Sequence, residues 1–122
     1  MEQHNNTKQL KPRTKQFGLR TIRLIDSLPR TTTAQTIGRQ LVRSALSVGA
    51  NYRAACRARS RADFISKMGI VEEEVDESSY WLEMLVEAGL VKTERLVPLM
   101  KEAGEIAAMV VASIKTARKG SK

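Results

Sequence analysis

The sequence predicts an all-α protein that folds as an antiparallel up-and-down four-helix bundle. Four long stretches place apolar residues three and four positions apart, and almost nothing alternates with the two-residue period of a strand. Short polar connections join these stretches, as expected for helices that lie side by side and antiparallel. The chain has 122 residues, of which 42% are hydrophobic, so one domain can bury a core of its own.

Both ends of the chain are predicted to lie outside the bundle. Residues 1–14 are polar and basic and contain Pro12, which is typical of a flexible N-terminal arm that buries too little apolar surface to become ordered. The bundle is then expected over residues 15–118, and residues 119–122 form a C-terminal tail.

Stop and start signals separate the first two predicted helices. The first is expected over residues 15–28, because Pro29 disfavours helical backbone in the residue before it. Thr32 with Gln35 three positions later resembles a capping box. We expect the second helix to begin there and to run to about residue 58.

The third and fourth predicted helices have weaker boundaries. Ser60 with Asp63 is a cap-like pair, and Gly89 stands where a left-handed residue commonly ends a helix. Thr93 is the predicted cap of the fourth helix. Because Pro98 fits only in a first helical turn, that helix is expected to start later than Thr93 or to kink.

Positive charge is concentrated in the first half of the sequence. The formal net charge is +8, but residues 1–61 hold 13 Lys and Arg against two acids, whereas residues 62–122 hold eight against 11. Such asymmetry indicates either a surface that faces a polyanion or two faces that attract each other between subunits.

Five arginines are predicted to share one side of the second helix. At about 100° per residue they fall within a sector of about 80°: Arg39, Arg43, Arg53, Arg57 and Arg61. A row of guanidiniums suits a phosphate backbone, so these residues are the candidate contacts to RNA or DNA. No aromatic residues alternate with the arginines, which indicates weak sequence preference. An exposed face, or one paired with acids of a neighbouring subunit, is the alternative.

The third helix carries a second apolar stripe beside its core-facing one. The stripe and its intervening acids form a candidate oligomer interface: Ile70, Glu73, Glu77, Tyr80, Trp81 and Met84. Tyrosine and tryptophan are favoured at subunit interfaces. The alternative places Trp81 flat over the edge of the bundle. The acidic run over residues 72–77 would face arginines of a partner subunit or water.

Enzyme chemistry has little support, and no catalytic residue, metal or cofactor is expected. The only histidine is His4, in the predicted arm, which excludes histidine-based triads. Cys56 is expected to be a buried structural thiol. A magnesium-dependent nuclease site at Glu73 and Glu77 is the minor alternative. Gly38, Gly49, Gly69 and Gly104 are isolated in helical patterns, where they favour close helix approach rather than phosphate binding.

The sequence also indicates where the protein is found. The longest apolar run, residues 106–112, has seven residues, whereas a membrane span needs about 20. No apolar segment of a secretory signal follows Met1, so a cytoplasmic location without membrane attachment is expected.

Residues 40–85 resemble the small four-helix-bundle proteins encoded by intervening sequences of bacterial 23S rRNA genes. The likeness covers about residues 15–118 and rests on a set of positions taken together: Arg43-Ser44-Ala45, Ser47-Val48, Ala50-Asn51, Ala58, Ser60, Asp63-Phe64, Lys67, Glu73, Glu77 and Tyr80-Trp81-Leu82. The resemblance implies a non-enzymatic cytoplasmic bundle that assembles as a ring, typically a homopentamer. It also implies kinship with the accessory variability determinant (Avd) of diversity-generating retroelements, a basic pentamer that binds nucleic acid and a reverse transcriptase.

Two functions therefore follow as expectations. The first is a homo-oligomeric accessory protein that contacts RNA or DNA through its arginines and assists a reverse transcriptase. The second is a protein–protein scaffold ring that binds no nucleic acid.

Overall fold

The computed structural model describes the backbone of residues 2–120 and the side chains of residues 9–120. This part of the chain contains four helices and no strand: α1 (Glu2–Asp26), α2 (Thr32–Cys56), α3 (Arg61–Glu87) and α4 (Thr93–Lys119). Each helix packs against its neighbours in sequence, and α1 also packs against α4, so the four enclose one core. The predicted all-α four-helix bundle is confirmed. No described helix is both long enough and apolar enough to span a membrane.

Glycines let α1 and α2 approach closely in antiparallel order. A Cβ added at Gly38 would lie 3.5 Å from Ile25 Cδ1, and one added at Gly49 would lie 3.5 Å from the Thr14 carbonyl oxygen. Residue numbers thus fall along α1 as they rise along α2. Gly38 and Gly49 act as predicted, whereas Gly69 and Gly104 face open space.

Polar contacts fix the same antiparallel order between α1 and α4. Arg13 forms an ion pair with Glu102 at 2.6 Å, and the Arg95 guanidinium donates to Ser27 Oγ. The turn between α2 and α3 therefore lies at the opposite end of the bundle from the α1–α2 and α3–α4 connections.

The core contains the apolar stripe of every helix. Its fully buried large side chains are Tyr52, Phe17, Leu10, Leu41, Met68, Leu82, Leu85, Leu96, Ile106, Val48, Val71 and Val75. Most of these are the positions that the three- and four-residue spacing selects. The exception is Leu10, which belongs to the segment expected to be an arm.

The expectation of a flexible arm over residues 1–14 is corrected by α1, which begins at Glu2. Leu10 and Thr14 are buried, and with Phe17 they continue the apolar stripe towards the N-terminus at steps of four and three. The Thr14 hydroxyl donates to the Leu10 carbonyl at 2.7 Å, which satisfies its buried oxygen. The segment is polar overall, but one narrow stripe of it is buried. At the other end, α4 includes Lys119, and residues 121–122 of the predicted tail lie outside the described residues.

Side-chain caps start α2 and α3. Thr31, one position before the predicted cap, accepts a hydrogen bond from the Ala34 amide at 3.1 Å. Ser60 accepts one from the Asp63 amide at 3.0 Å, as the sequence indicates. Each satisfies one of the free amides of a helix start.

The α3–α4 connection follows its glycine signal. Gly89 has a φ of 73°, the left-handed conformation that glycine adopts without strain. Helix α4 then begins at Thr93, with Lys92 as an N-cap that makes no side-chain hydrogen bond. Pro98 lies inside α4, so the helix does not start later than Thr93.

Candidate nucleic-acid interface

The structure separates the five candidate arginines. Helix α2 ends at Cys56, Arg57 is its C-cap, and Arg61 is the first residue of α3. The single-helix projection is therefore wrong for Arg57 and Arg61, because it assumes that α2 continues through residues at which the chain turns. Arg39, Arg43 and Arg53 do lie on α2 and are exposed.

Arg43 is paired within the chain. Its guanidinium lies 3.4 Å from Glu74 Oε1 and donates to Glu77 Oε2. The hydrogen bond to Glu77 raises the pKa of Arg43. Arg43, and then the indole of Trp81, lower the pKa of Glu77. The acidic run was expected to face a partner subunit or water, but at Glu74 and Glu77 it faces α2 of the same chain.

Three members of the predicted oligomer interface are engaged within their own bundle. Glu77 binds Arg43 as above, and the Trp81 indole donates to the same carboxylate at 3.0 Å. Trp81 and Met84 are half-buried and pack against the core. The placement of Trp81 thus agrees with the alternative, a tryptophan over the bundle edge.

The other three members of that set are exposed on α3. Ile70 and Tyr80 are 41% and 52% exposed, which is unusual for large apolar side chains. Glu73 is exposed as well. Tyr80 meets Trp81 edge to face, with ring centroids 5.0 Å apart. Ile70, Glu73 and Tyr80 are therefore the most exposed members of the predicted set.

The α2–α3 turn gathers positive charge at one end of the bundle. Four arginines occur over residues 53–61 with no acid among them, and all are exposed: Arg53, Arg57, Arg59 and Arg61. No described residue forms a salt bridge with any of them. The nearest carboxylate in sequence, Asp63, binds Lys67 at 2.7 Å and accepts from the Arg59 amide. Lys67 and that amide lower the pKa of Asp63.

The last turns of α4 add cations at the same end. Lys115, Arg118 and Lys119 are exposed, and a Cβ added at Gly120 would lie 3.7 Å from Arg61 Nη2. We call this surface, formed by Arg53, Arg57, Arg59, Arg61, Lys115, Arg118 and Lys119, the basic end. Arg59 and the α4 cations are not among the predicted site residues, although the basic residues in the last turns of α4 are visible in the sequence.

A groove between α1 and α2 extends the positive charge away from the basic end. It has a volume of about 300 Å³ and is lined by Lys11, Lys15 and Arg53 together with apolar side chains. Two of the latter, Leu19 and Leu46, are 37% and 46% exposed. Basic and apolar surface are therefore adjacent on this face.

No cluster suited to a metal occurs in the described part of the chain, where no three His, Cys, Asp or Glu side chains come close enough to hold an ion. Glu73 is exposed, whereas Glu77 is held by Arg43 and Trp81. His4 lies outside the described side chains. Cys56 is exposed at the end of α2, which corrects its expected burial: the helix ends there instead of carrying the thiol along its core face.

A family model described as 23S rRNA-intervening sequence protein matches residues 8–112. The chain belongs to this family. A crystal structure from Bacteroides thetaiotaomicron, of a protein of unknown function from the S23 ribosomal protein family, is similar throughout. It has a TM-score of 0.85 and 32% sequence identity, and the match covers 90% of this chain and 98% of that one. A search of curated proteins found no match.

The bounds of the 23S rRNA-intervening sequence protein match show which parts of the fold and of the basic end belong to the family's shared region. The match begins at residue 8, so Leu10 and Thr14 belong to the family's shared region, in agreement with their burial. It ends at residue 112, so the α4 cations of the basic end lie beyond it. The arginines of the α2–α3 turn lie inside the matched region.

Proposed function

We propose that this 23S rRNA-intervening sequence protein is a non-enzymatic, homo-oligomeric accessory protein that binds the phosphate backbone of RNA or DNA. The observation that supports the proposal is the basic end. Its arginines are exposed, and no described carboxylate forms a salt bridge with them. Guanidiniums in that state are available for charge-assisted hydrogen bonds to phosphate oxygens.

The basic end favours backbone contact over base recognition. Sequence-tolerant stacking on bases requires exposed aromatic rings next to the cations. Phe17 and Tyr52 are buried, and Phe64 is partly buried against the core. Tyr80 and Trp81 lie on α3, about five helical turns along from Arg61 by residue count. Contacts to phosphates position a nucleic acid without reading its sequence.

The salt dependence of binding tests this function. We would titrate a fluorescently labelled single-stranded RNA with the protein and measure anisotropy from low to physiological salt. For single-stranded RNA, a plot of the logarithm of the affinity against the logarithm of the salt concentration should have a slope of about −0.7 per phosphate contact. Arg57→Gln and Arg59→Gln should each weaken binding and reduce the slope by about that amount.

The matched control is Lys101→Gln, which removes an exposed cation from the middle of α4. It should leave the slope unchanged. Equal losses of RNA affinity in Lys101→Gln and Arg57→Gln would show that binding depends on net charge alone, which would contradict a defined interface. Absence of binding at low salt would contradict nucleic-acid binding altogether.

Self-assembly as a ring is part of the proposal. Exposed apolar pairs lie on two different faces: Leu19 and Leu46 beside the α1–α2 groove, and Ile70 and Tyr80 on α3. The first pair has a basic rim, and the second lies on the helix with most of the acids. Contact between such unlike faces is head-to-tail, the type that forms a ring when the rotation from one subunit to the next closes on itself. The homopentamer implied by the resemblance is the expected ring.

A protein scaffold without nucleic-acid binding is the second candidate. It is favoured by the pairing of Arg43 within the chain, which removes one member of the original arginine row. Assistance to a reverse transcriptase, as in Avd, would combine both candidates, since such a partner and its template present a protein surface and a polyanion together. The scaffold candidate predicts an intact oligomer that shows no saturable RNA binding even at low salt.

A further inference from the structure

A second cluster of arginines lies at the end of the bundle opposite the basic end. Two of them, Arg20 and Arg23, project from the last turns of α1, and Arg95 projects from the first turn of α4. They line a groove of about 220 Å³, many times the volume that a single water needs. Three leucines complete its lining: Leu24, Leu96 and Leu99.

These three guanidiniums are not used in ion pairs by the described residues. The neighbouring carboxylate of Glu102 is bound twice by Arg13, through Nε at 2.9 Å and Nη2 at 2.6 Å. Arg20 acts on Glu102 only at longer range, as a minor cause of its lowered pKa. Arg95 donates to the neutral hydroxyl of Ser27, which positions the guanidinium without neutralising it.

Leucines beneath the arginines strengthen their attraction for an anion. Leu24, Leu96 and Leu99 are buried, so one side of the groove is low-dielectric protein rather than water, and charges interact more strongly there. The first turn of α4 adds amide groups to the same region, since Lys92 makes no side-chain cap. This contribution is secondary to that of the three guanidiniums.

We infer that this groove binds a single phosphate group, either free inorganic phosphate or the terminal phosphate of a nucleotide chain. A tetrahedral phosphate presents several oxygens, and planar guanidiniums bind such oxygens in pairs. Helix α3, with 27 residues, separates the groove from the basic end by about 40 Å at 1.5 Å per residue. The groove is thus a separate site and does not depend on the proposed backbone interface.

Calorimetric titration of the full chain with inorganic phosphate, in a chloride buffer of low ionic strength, tests the site. We expect saturable binding that weakens about tenfold in Arg23→Gln and in Arg95→Gln, as befits the loss of a charged hydrogen bond. Both side chains are exposed, so glutamine should preserve the helices, and circular dichroism verifies this. Arg30→Gln is the matched control, because it removes an exposed cation of the adjacent connection outside the groove.

Two oligonucleotides that differ only in a 5′-phosphate or a 5′-hydroxyl separate the sources of the phosphate. Preference for the 5′-phosphate, lost in Arg95→Gln, identifies a chain terminus, whereas binding of inorganic phosphate alone identifies the free anion. Either result supports the site. No saturable binding of inorganic phosphate together with equal affinities for the two oligonucleotides, or an equal loss in Arg30→Gln, overturns it. Arg57→Gln should leave phosphate binding unchanged, so failure of the basic end is distinguishable from failure of this groove.

Discussion

Arg43 of α2 and Glu77 of α3 form an ion pair within one bundle, and Trp81 donates its indole hydrogen to the same carboxylate. The pair ties the two helices together on their outer surface. Arg43 is therefore a structural residue, although in the sequence it looks like the other arginines of its row. Its role can be separated from that of the turn arginines by experiment.

The first prediction is that Arg43→Gln lowers the stability of the fold, whereas Arg57→Gln lowers its affinity for RNA. Arg43→Gln should lower the midpoint of thermal unfolding and leave RNA affinity nearly unchanged, because its charge is already paired. Arg57→Gln should lower RNA affinity about fivefold near 0.1 M salt, since one phosphate contact is lost, with little change in unfolding. Anisotropy and calorimetry measure the two effects. A loss of RNA affinity in Arg43→Gln as large as that in Arg57→Gln would contradict the assignment.

The second prediction concerns the exposed side chains of α3. Tyr80→Glu should dissociate the proposed oligomer, because it places a charge in a contact that would exclude water. Multi-angle light scattering should then give the monomer mass of 13.6 kDa, whereas the wild type gives a multiple of it. Val97→Glu is the control, since Val97 is 50% exposed on α4. A wild-type monomer would contradict assembly through this face.

The third prediction uses the glycines that face open space. Gly69→Ala and Gly104→Ala should each stabilise the fold, by up to about 1 kcal/mol, because alanine is the better helix former and meets no obstacle. Gly38→Ala should gain less or destabilise, since its Cβ would lie 3.1 Å from Leu28 Cδ1. Urea unfolding measures all three variants. Equal gains at the three positions would show that Gly38 is not in tight contact with Leu28.

The fourth prediction is a pH dependence from Glu102. Its hydrogen bond with Arg13 lowers its pKa below the ordinary value of 4.5, so the folded state favours the ionised form. The resulting stability is fully present above that ordinary value and is lost as the pH falls through the lower folded pKa. Glu102→Gln should remove this part of the acid-dependent loss, worth about 1 kcal/mol or less for a partly exposed pair. Urea unfolding between pH 7 and pH 3 provides the measurement, and an unchanged profile in the variant would contradict it.

The sequence predicts the core well because burial in a bundle follows helical spacing. Phe17, Leu41, Val75 and Ile106 are all buried on the stripes that this spacing selects. The sequence does not predict the first part of α1, because that part has too few apolar residues to show helical spacing. Between residues 9 and 16 only Leu10 is apolar, and composition alone then favours disorder.

The candidate site is predicted less well, because it depends on where one helix stops and on how two helices are rotated. Residues 57–60 contain neither glycine nor proline, so the Ser60–Asp63 cap signal is the sole mark of the turn, and it does not show that α2 ends before Arg57. The partner of Arg43 depends on the rotation of α3 about its axis. That rotation also brings Ser44 and Ser78 together, with their Oγ atoms 2.8 Å apart in the interior. Periodicity gives the face of each helix but not these pairings.

Trp81 is the single tryptophan of the chain, and its position makes it an optical reporter of the α2–α3 contact. Its indole nitrogen donates to Glu77, the carboxylate that also holds Arg43, so its emission should respond when that contact opens. Loosening of the bundle during unfolding, or a change in the environment of α3 on assembly, can therefore be followed by intrinsic fluorescence in the unlabelled protein.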